Sequence, residues 1–134
     1  MIVYSENIES ITEDQLQRFF VGWKKIPPPL VHLQILKNSK HVIIALDSET
    51  EKVIAFITAL SDDVMTAYIP LLEVLPQYQS QGIGSQLLRR MFEKLEDMYM
   101  IDLLCEASMQ TYYEKFGMQK TTGMMIRNMH DRLK

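Results

Sequence analysis

At 134 residues, with 47% hydrophobic and 23% charged side chains, the chain has length for one domain and too much apolar content for a disordered one. A formal net charge of −3 offers no basic footprint for nucleic acid, and no run of about 18 apolar residues is present to span a membrane. A single cysteine, Cys105, excludes an intrachain disulfide and a thiolate metal cluster.

The first residues, Met1-Ile2-Val3-Tyr4-Ser5-Glu6, lack the basic and apolar regions of a secretory signal, so a cytoplasmic protein is expected. Ile2 to Tyr4 reads as a first strand. Thr12 followed by Gln15 makes a capping box, and Leu16, Phe19 and Phe20 continue at helical spacing toward a stop at Gly22. Three prolines at 27–29 interrupt the chain, the last suited to the first turn of a second helix running to about Asn38. Phe19, Phe20, Trp23 and the prolines form either a packing cluster or the wall of a pocket. His32, His41 and His130 have no second metal-type ligand at useful spacing and read as packing or surface residues, so no metal is expected. Ten methionines are unusual and can line an adaptable pocket, though core filling accounts for most of them.

His41 to Leu46 and Lys52 to Leu60 are apolar runs across a charged turn, which predicts a hairpin. Met65 to Leu75 follows Ser61-Asp62-Asp63 as a third antiparallel strand. Then comes Gln79-Ser80-Gln81-Gly82-Ile83-Gly84, and after it Ile83, Leu87, Leu88, Met91, Phe92 and Leu95 share one side of a helix. A strand, a glycine-bearing turn and an amphipathic helix set backbone N–H groups around a concave anion site. It is not a P-loop, because no Lys-Ser or Lys-Thr follows Gly84. It is not G-x-G-x-x-G, because Leu87 stands where the third glycine belongs. Tyr99 to Cys105 suits a buried strand parallel to the 65–75 strand, with Cys105 a small buried residue. Glu106 to Phe116 reads as a helix ended by Gly117, and Met124-Met125-Ile126 as a last strand.

The turn at 79–84 resembles the Q/R-x-x-G-x-G/A signature of the GCN5-related N-acetyltransferases, with Val74-Leu75-Pro76 as that family's apolar lead-in. Tyr112-Tyr113-Glu114-Lys115-Phe116-Gly117 resembles its second signature, aromatic-Tyr-x-x-aromatic-Gly, in the same order and separated by a helix and a strand. The resemblance implies a single domain over 1–134. Its fold would be α/β, a mixed and mostly antiparallel sheet of about six to seven strands flanked by about four helices, two strands splaying to form an acyl-CoA cleft. It implies acetyl-CoA as co-substrate and transfer to a primary amine in a ternary complex. The main chain at Gln81, Gly82, Ile83, Gly84 and Ser85 would cradle the pyrophosphate, with Gln79 at the Q/R position. Leu72 and Val74 would pair with the pantetheine amides. Tyr113 would protonate the leaving thiolate, and Tyr112 would pack.

Glu73, a carboxylate among apolar neighbours on the cleft strand, is the first candidate for a base through water; Glu106 is the second. The region between the first two strands would bind the acceptor. A small-molecule amine is favoured, the alternatives being a protein lysine or N-terminus, or an acyl-CoA sensor without turnover. Neither nucleic acid nor membrane is expected as a partner, and a homodimer is compatible with this reading.

Overall fold

The chain is described over residues 1–128 by a computed structural model. One sheet of five strands runs in sequence order: β1 Ile2–Ser5, β2 His41–Asp47, β3 Lys52–Ser61, β4 Thr66–Val74 and β5 Met100–Asp102. The first four pair antiparallel. Strand β5 lies parallel to β4, as it must when a helix carries the chain back over the sheet. The helices are α1 Pro29–Asn38, α2 Ile83–Lys94 and α3 Gln110–Glu114.

Local signals account for most of this. Pro29 opens α1 because its missing N–H falls among the orphan donors of a first turn. Val53 to Ala59 on β3 is buried throughout because the central strand is covered on both faces. Helix α2 lays Ile83, Leu87, Leu88 and Met91 on the sheet. The mixed, mostly antiparallel α/β architecture is as expected. Among the described residues there are five strands rather than six to seven, and three α-helices rather than four.

Four local expectations are corrected. The helix read from Thr12 to Phe20 is only a 3₁₀ turn at Glu13–Gln15. Its capping signal is real, the Gln15 side chain accepting the Thr12 N–H at 3.0 Å. Beyond it the backbone turns left-handed at Arg18 (φ 69°) and Phe20 (φ 64°), which no α-helix tolerates. The buried strand read over 99–105 shortens to three edge residues, and Cys105 is exposed. The helix read over 106–116 begins as a 3₁₀ turn at Ala107–Met109 before α3. Residues 118–128 carry no strand, and Met124 is 99% exposed, because no ladder in the sheet receives that apolar run. His130 lies outside the described residues.

What positions the site is a break in β4. Thr58 pairs with Leu71 but Leu60 pairs with Tyr68, so Ile69 and Pro70 together face one residue, Ala59. This is a β-bulge, and bulges bend and twist the strand that carries them. Pairing with β5 covers only Thr66, Ala67 and Tyr68 and ends where the bulge begins. Pro70, exposed on that edge, has no N–H with which to continue a ladder. Among the described residues, strand β4 from Leu71 to Val74 keeps its β3 partner and has none on its other side. The β4–β5 ladder ends there, where the sequence reading expected the two strands to splay into a cleft.

Candidate active site

The free edge of β4 leads directly into the glycine turn. Leu75 bonds back to β3 through its N–H (to Ile54 O, 2.9 Å), a 3₁₀ turn covers Pro76–Tyr78, and Gln79 closes on Pro76 O. The Gln79 side chain donates to Val74 O at 3.0 Å, so its amide braces the turn against the end of β4. Ser80 and Gly82 both have positive φ, 63° and 80°. This pair of left-handed positions turns the backbone so that α2 starts at Ile83 with Gly82 as its N-cap. No side chain caps that end, so the first-turn amides of α2 keep the donors every helix start leaves without an intrahelical acceptor.

The two glycines have different jobs. A Cβ on Gly82 would meet nothing within 4 Å, so the position is open and glycine is needed for its backbone angle. A Cβ on Gly84 would lie 3.5 Å from Val74 Cγ2 and 3.6 Å from the Tyr112 hydroxyl, ordinary contact distances, so the first turn of α2 packs near β4 and α3 with room for a methyl group. Tyr112, expected only to pack, also shares a 2.9 Å hydrogen bond with Ser85 Oγ. It ties α3 to the first turn of α2, and its ring stands 5.2 Å from that of Tyr113. Uncapped amides, an open Gly82 and an unpaired strand edge together fit a diphosphate followed by an amide-bearing arm.

Tyr113 is half-buried on α3. Burial pushes its phenol up to about 12, the neighbouring Tyr112 and Cys105 adding to the rise. It is therefore neutral and holds a proton under all ordinary conditions. Glu106, the second candidate base, is exposed at the start of the turn preceding α3.

Glu73 lies on the opposite face of β4 from Val74, because side chains alternate along a strand. Its Oε2 and Oε1 accept the Phe20 N–H at 2.7 and 2.9 Å, and Oε1 also accepts the Val21 N–H at 3.2 Å. These amides are the ones that the left-handed turn at Arg18–Phe20 removes from any helix. Burial raises the Glu73 carboxyl above its ordinary value, and the two backbone donors oppose that rise. The Glu73 carboxylate, a candidate base in the sequence, is the clamp on the 18–22 turn.

Behind that turn lies a cavity of about 360 Å³, lined by Leu16, Phe19, Phe20, Pro27, Pro29 and His32 among others. His32 is 1% exposed and is packed against Phe19, Phe20 and Phe56, with ring centroids 4.5–5.1 Å away. Burial pushes it down to about 4, so the ring is neutral near pH 7. Neither ring nitrogen has a hydrogen-bond partner. Leaving one such group unpaired costs about 1–3 kcal/mol. A larger groove of about 460 Å³ borders Tyr4, Glu6, Arg90 and Lys94 toward the other end of α2, and the Lys94–Glu6 ion pair occupies its rim. It has no element in common with the glycine turn except α2 itself.

Comparison with known proteins bears on this arrangement. The family model described as Acetyltransferase (GNAT) family matches residues 8–118. The chain is similar to a solved, provisionally assigned acetyltransferase from Deinococcus radiodurans R1, with 37% identity and a TM-score of 0.90 over 94% of this chain and 87% of that one. A GNAT-family acetyltransferase from Streptococcus pneumoniae TIGR4 is 26% identical, with a TM-score of 0.77 over 97% of this chain and all of its own. The uncharacterised N-acetyltransferase ycf52 of Porphyra purpurea is 29% identical over 126 residues, 88% of this chain and 71% of the relative.

Proposed function

The chain belongs to the acetyltransferase (GNAT) family and is an acyltransferase, and on that premise we propose that it moves acetyl from acetyl-CoA to the primary amine of a small molecule. The observation that carries this reading is the free edge of β4, Leu71 to Val74, running into the uncapped start of α2. Backbone groups of Leu72 and Val74 would pair with the amides of the pantetheine arm as an added strand does. The main chain at Gln81, Gly82, Ile83, Gly84 and Ser85 would hold the diphosphate, with Gln79 bracing the turn from behind.

When bound, acetyl-CoA supplies an activated thioester carbon. The chain's own residues have to manage protons. An alkylammonium near pKa 10 is free base only about one part in a thousand at pH 7. The free base, having given one proton to solvent, attacks with its lone pair, and its nitrogen then sheds a second proton far more readily as the bond to carbon forms. Glu73 Oε2, which accepts the Phe20 N–H and no other hydrogen bond among the described residues, is the proposed acceptor of that proton through water. At the other end the sulfur leaves with the electron pair of the broken C–S bond. A phenol at about 12 lies about 3.5 units above a thiol at 8.5, so full transfer from Tyr113 is uphill by about 5 kcal/mol. Tyr113 therefore acts by donating a hydrogen bond that steadies the thiolate, and the proton arriving from the amine side completes the thiol.

The test is thiol release from acetyl-CoA with a panel of small amines and lysine peptides, beside calorimetry of acetyl-CoA alone. Binding with turnover of small amines supports the reading. Turnover of peptides only would move the acceptor to protein, and binding without any turnover would leave a sensor.

A further inference from the structure

The cavity behind the 18–22 turn contains something apolar packing does not call for. Its lining of Leu16, Phe19, Phe20, Pro27 and Pro29 would be completed at no polar cost by another phenyl ring. Instead it holds the His32 imidazole, 1% exposed, with both nitrogens unpartnered. Buried polar groups are nearly always paired; both His32 nitrogens are closed off as the ring lies, so a guest reaches one of them by turning the ring toward the cavity it lines. A neutral imidazole has one N–H and one lone pair, so a hydroxyl can accept from one nitrogen or donate to the other. A charge on the part of a guest among these rings gains little, because among the described residues bordering the cavity the sole charged one, Arg18, is exposed and itself positive.

Size and position narrow the ligand further. About 360 Å³ is near the lower end of ligand pockets, which leaves room for one ring and a short chain but not a nucleotide or a folded peptide. Phe20 and Val21 border the cavity and give their N–H groups to Glu73 on the far side of the same turn. The backbone at Phe20 and Val21 thus stands between the cavity and the carboxylate at the end of β4. Resting on the N-acetyltransferase reading above, we propose that this cavity takes the acceptor, a primary amine with a compact apolar body carrying one hydroxyl. The body lies among Phe19, Phe20 and the prolines, the hydroxyl pairs with His32, and the amine is directed toward Glu73. His32 is then a specificity-determining residue that takes no part in the proton transfers.

The experiment uses the full chain with two matched probes, cyclohexylmethylamine and 4-(aminomethyl)cyclohexanol, and spermidine as a polar control. Calorimetry is run with and without saturating CoA, on the natural sequence and on His32→Leu. Histidine labelled with ¹⁵N reports the imidazole directly, the His32 signals being those missing from His32→Leu. The expected result is that the hydroxylated amine binds about tenfold tighter than its partner, the value of one added hydrogen bond. It should shift both His32 nitrogens, and His32→Leu should bring the two probes to equal affinity. His32→Gln should restore part of the preference. Equal affinities in the natural chain, no binding of either probe with or without CoA, unmoved His32 signals, or tighter binding of spermidine each overturn the proposal. If His32→Leu does not fold, His32→Gln supplies the assignment and the ¹⁵N shifts in the natural chain decide. Acetyl-CoA binding is read separately: if it fails while the hydroxylated amine binds, the acetyl-transfer reading falls and the pocket stands. If it succeeds while the amines are indifferent, only the pocket falls.

Discussion

The same substitution at two glycines two residues apart should change stability in opposite directions. At Gly82 the backbone sits at φ 80°, ψ 7°, where an L-residue pays about 1–2 kcal/mol. The new Cβ meets nothing within 4 Å, so no packing gain offsets that cost. Reduced freedom of the unfolded chain returns about 0.4–1 kcal/mol. Gly82→Ala should therefore lose about 0.5–1 kcal/mol, and Gly82→Val, β-branched, more. At Gly84 the residue is helical, and alanine is favoured over glycine there by up to about 1 kcal/mol. Its Cβ would touch Val74 Cγ2 and the Tyr112 hydroxyl at ordinary contact distances, 3.5 and 3.6 Å. Gly84→Ala should therefore be as stable as the natural chain or gain up to about 1 kcal/mol. Thermal melts should separate the two alanine variants by several degrees. Calorimetry with acetyl-CoA should show a loss of tenfold or more for Gly82→Ala, because the amides of the turn are re-aimed, and less than about threefold for Gly84→Ala. Equal melting temperatures would refute the strain argument, and acetyl-CoA affinity untouched by Gly82→Val would refute the cradle.

Three further outcomes are expected. Tyr113→Phe should lower kcat about ten- to a hundredfold, the range of a hydrogen bond to a charged atom, with little change in the KM for acetyl-CoA. Because the phenol is pushed up to about 12, any loss of rate between pH 8 and 10 should persist in that variant. Glu73→Gln should lower kcat/KM for the amine by tenfold or more, remove the acid limb of its pH profile and leave acetyl-CoA affinity unchanged; an unmoved profile would retire Glu73 as the base. Its raised carboxyl also has a stability signature. The folded chain holds that proton more tightly than the unfolded one, so Glu73's contribution is full below about 4.5 and is lost as pH rises through the folded value. Urea titrations across that window should show a flatter dependence for Glu73→Gln. Asp47 has the opposite sign. The Tyr78 hydroxyl, 2.7 Å from its carboxylate, is the largest of the influences holding it below its ordinary 3.8. Its stabilisation is present above that value and fades on acidification, and Tyr78→Phe should raise the Asp47 value in a ¹³C carboxyl titration.

What could be read in advance follows from how far its causes lie along the chain. Pro29 at the start of α1, the hairpin around 47–52 and the apolar side of α2 are each decided within a dozen residues, and all three form as read. The glycine turn was legible for the same reason. The 12–22 segment was not, because Glu73 takes the amides of Phe20 and Val21 from more than fifty positions away. The Tyr112–Ser85 bond is another long-range pairing with no local trace. Pro70 did leave a trace that the reading of 65–75 as one strand passed over: a proline inside an apolar run marks an edge or a bulge, and the β4–β5 ladder ends beside it. The 99–105 run misleads because apolar content is read as burial, whereas an edge strand of three residues leaves Met100 and Leu104 open. His32 sits at an ordinary helical position, and only the surrounding phenyl rings make it unusual.

The bulge at Ile69–Pro70 has a mechanical side. Strand β5, the forerunner of the helix bearing Tyr113, is latched to the sheet by three rungs, at Thr66, Ala67 and Tyr68. A guest lying along Leu71 to Val74 would furnish the rungs that the polypeptide leaves out, knitting both halves of the molecule together. Warming should accordingly loosen the empty protein along this seam before the four-stranded remainder yields, and amide exchange at residues 100–102 should slow on loading.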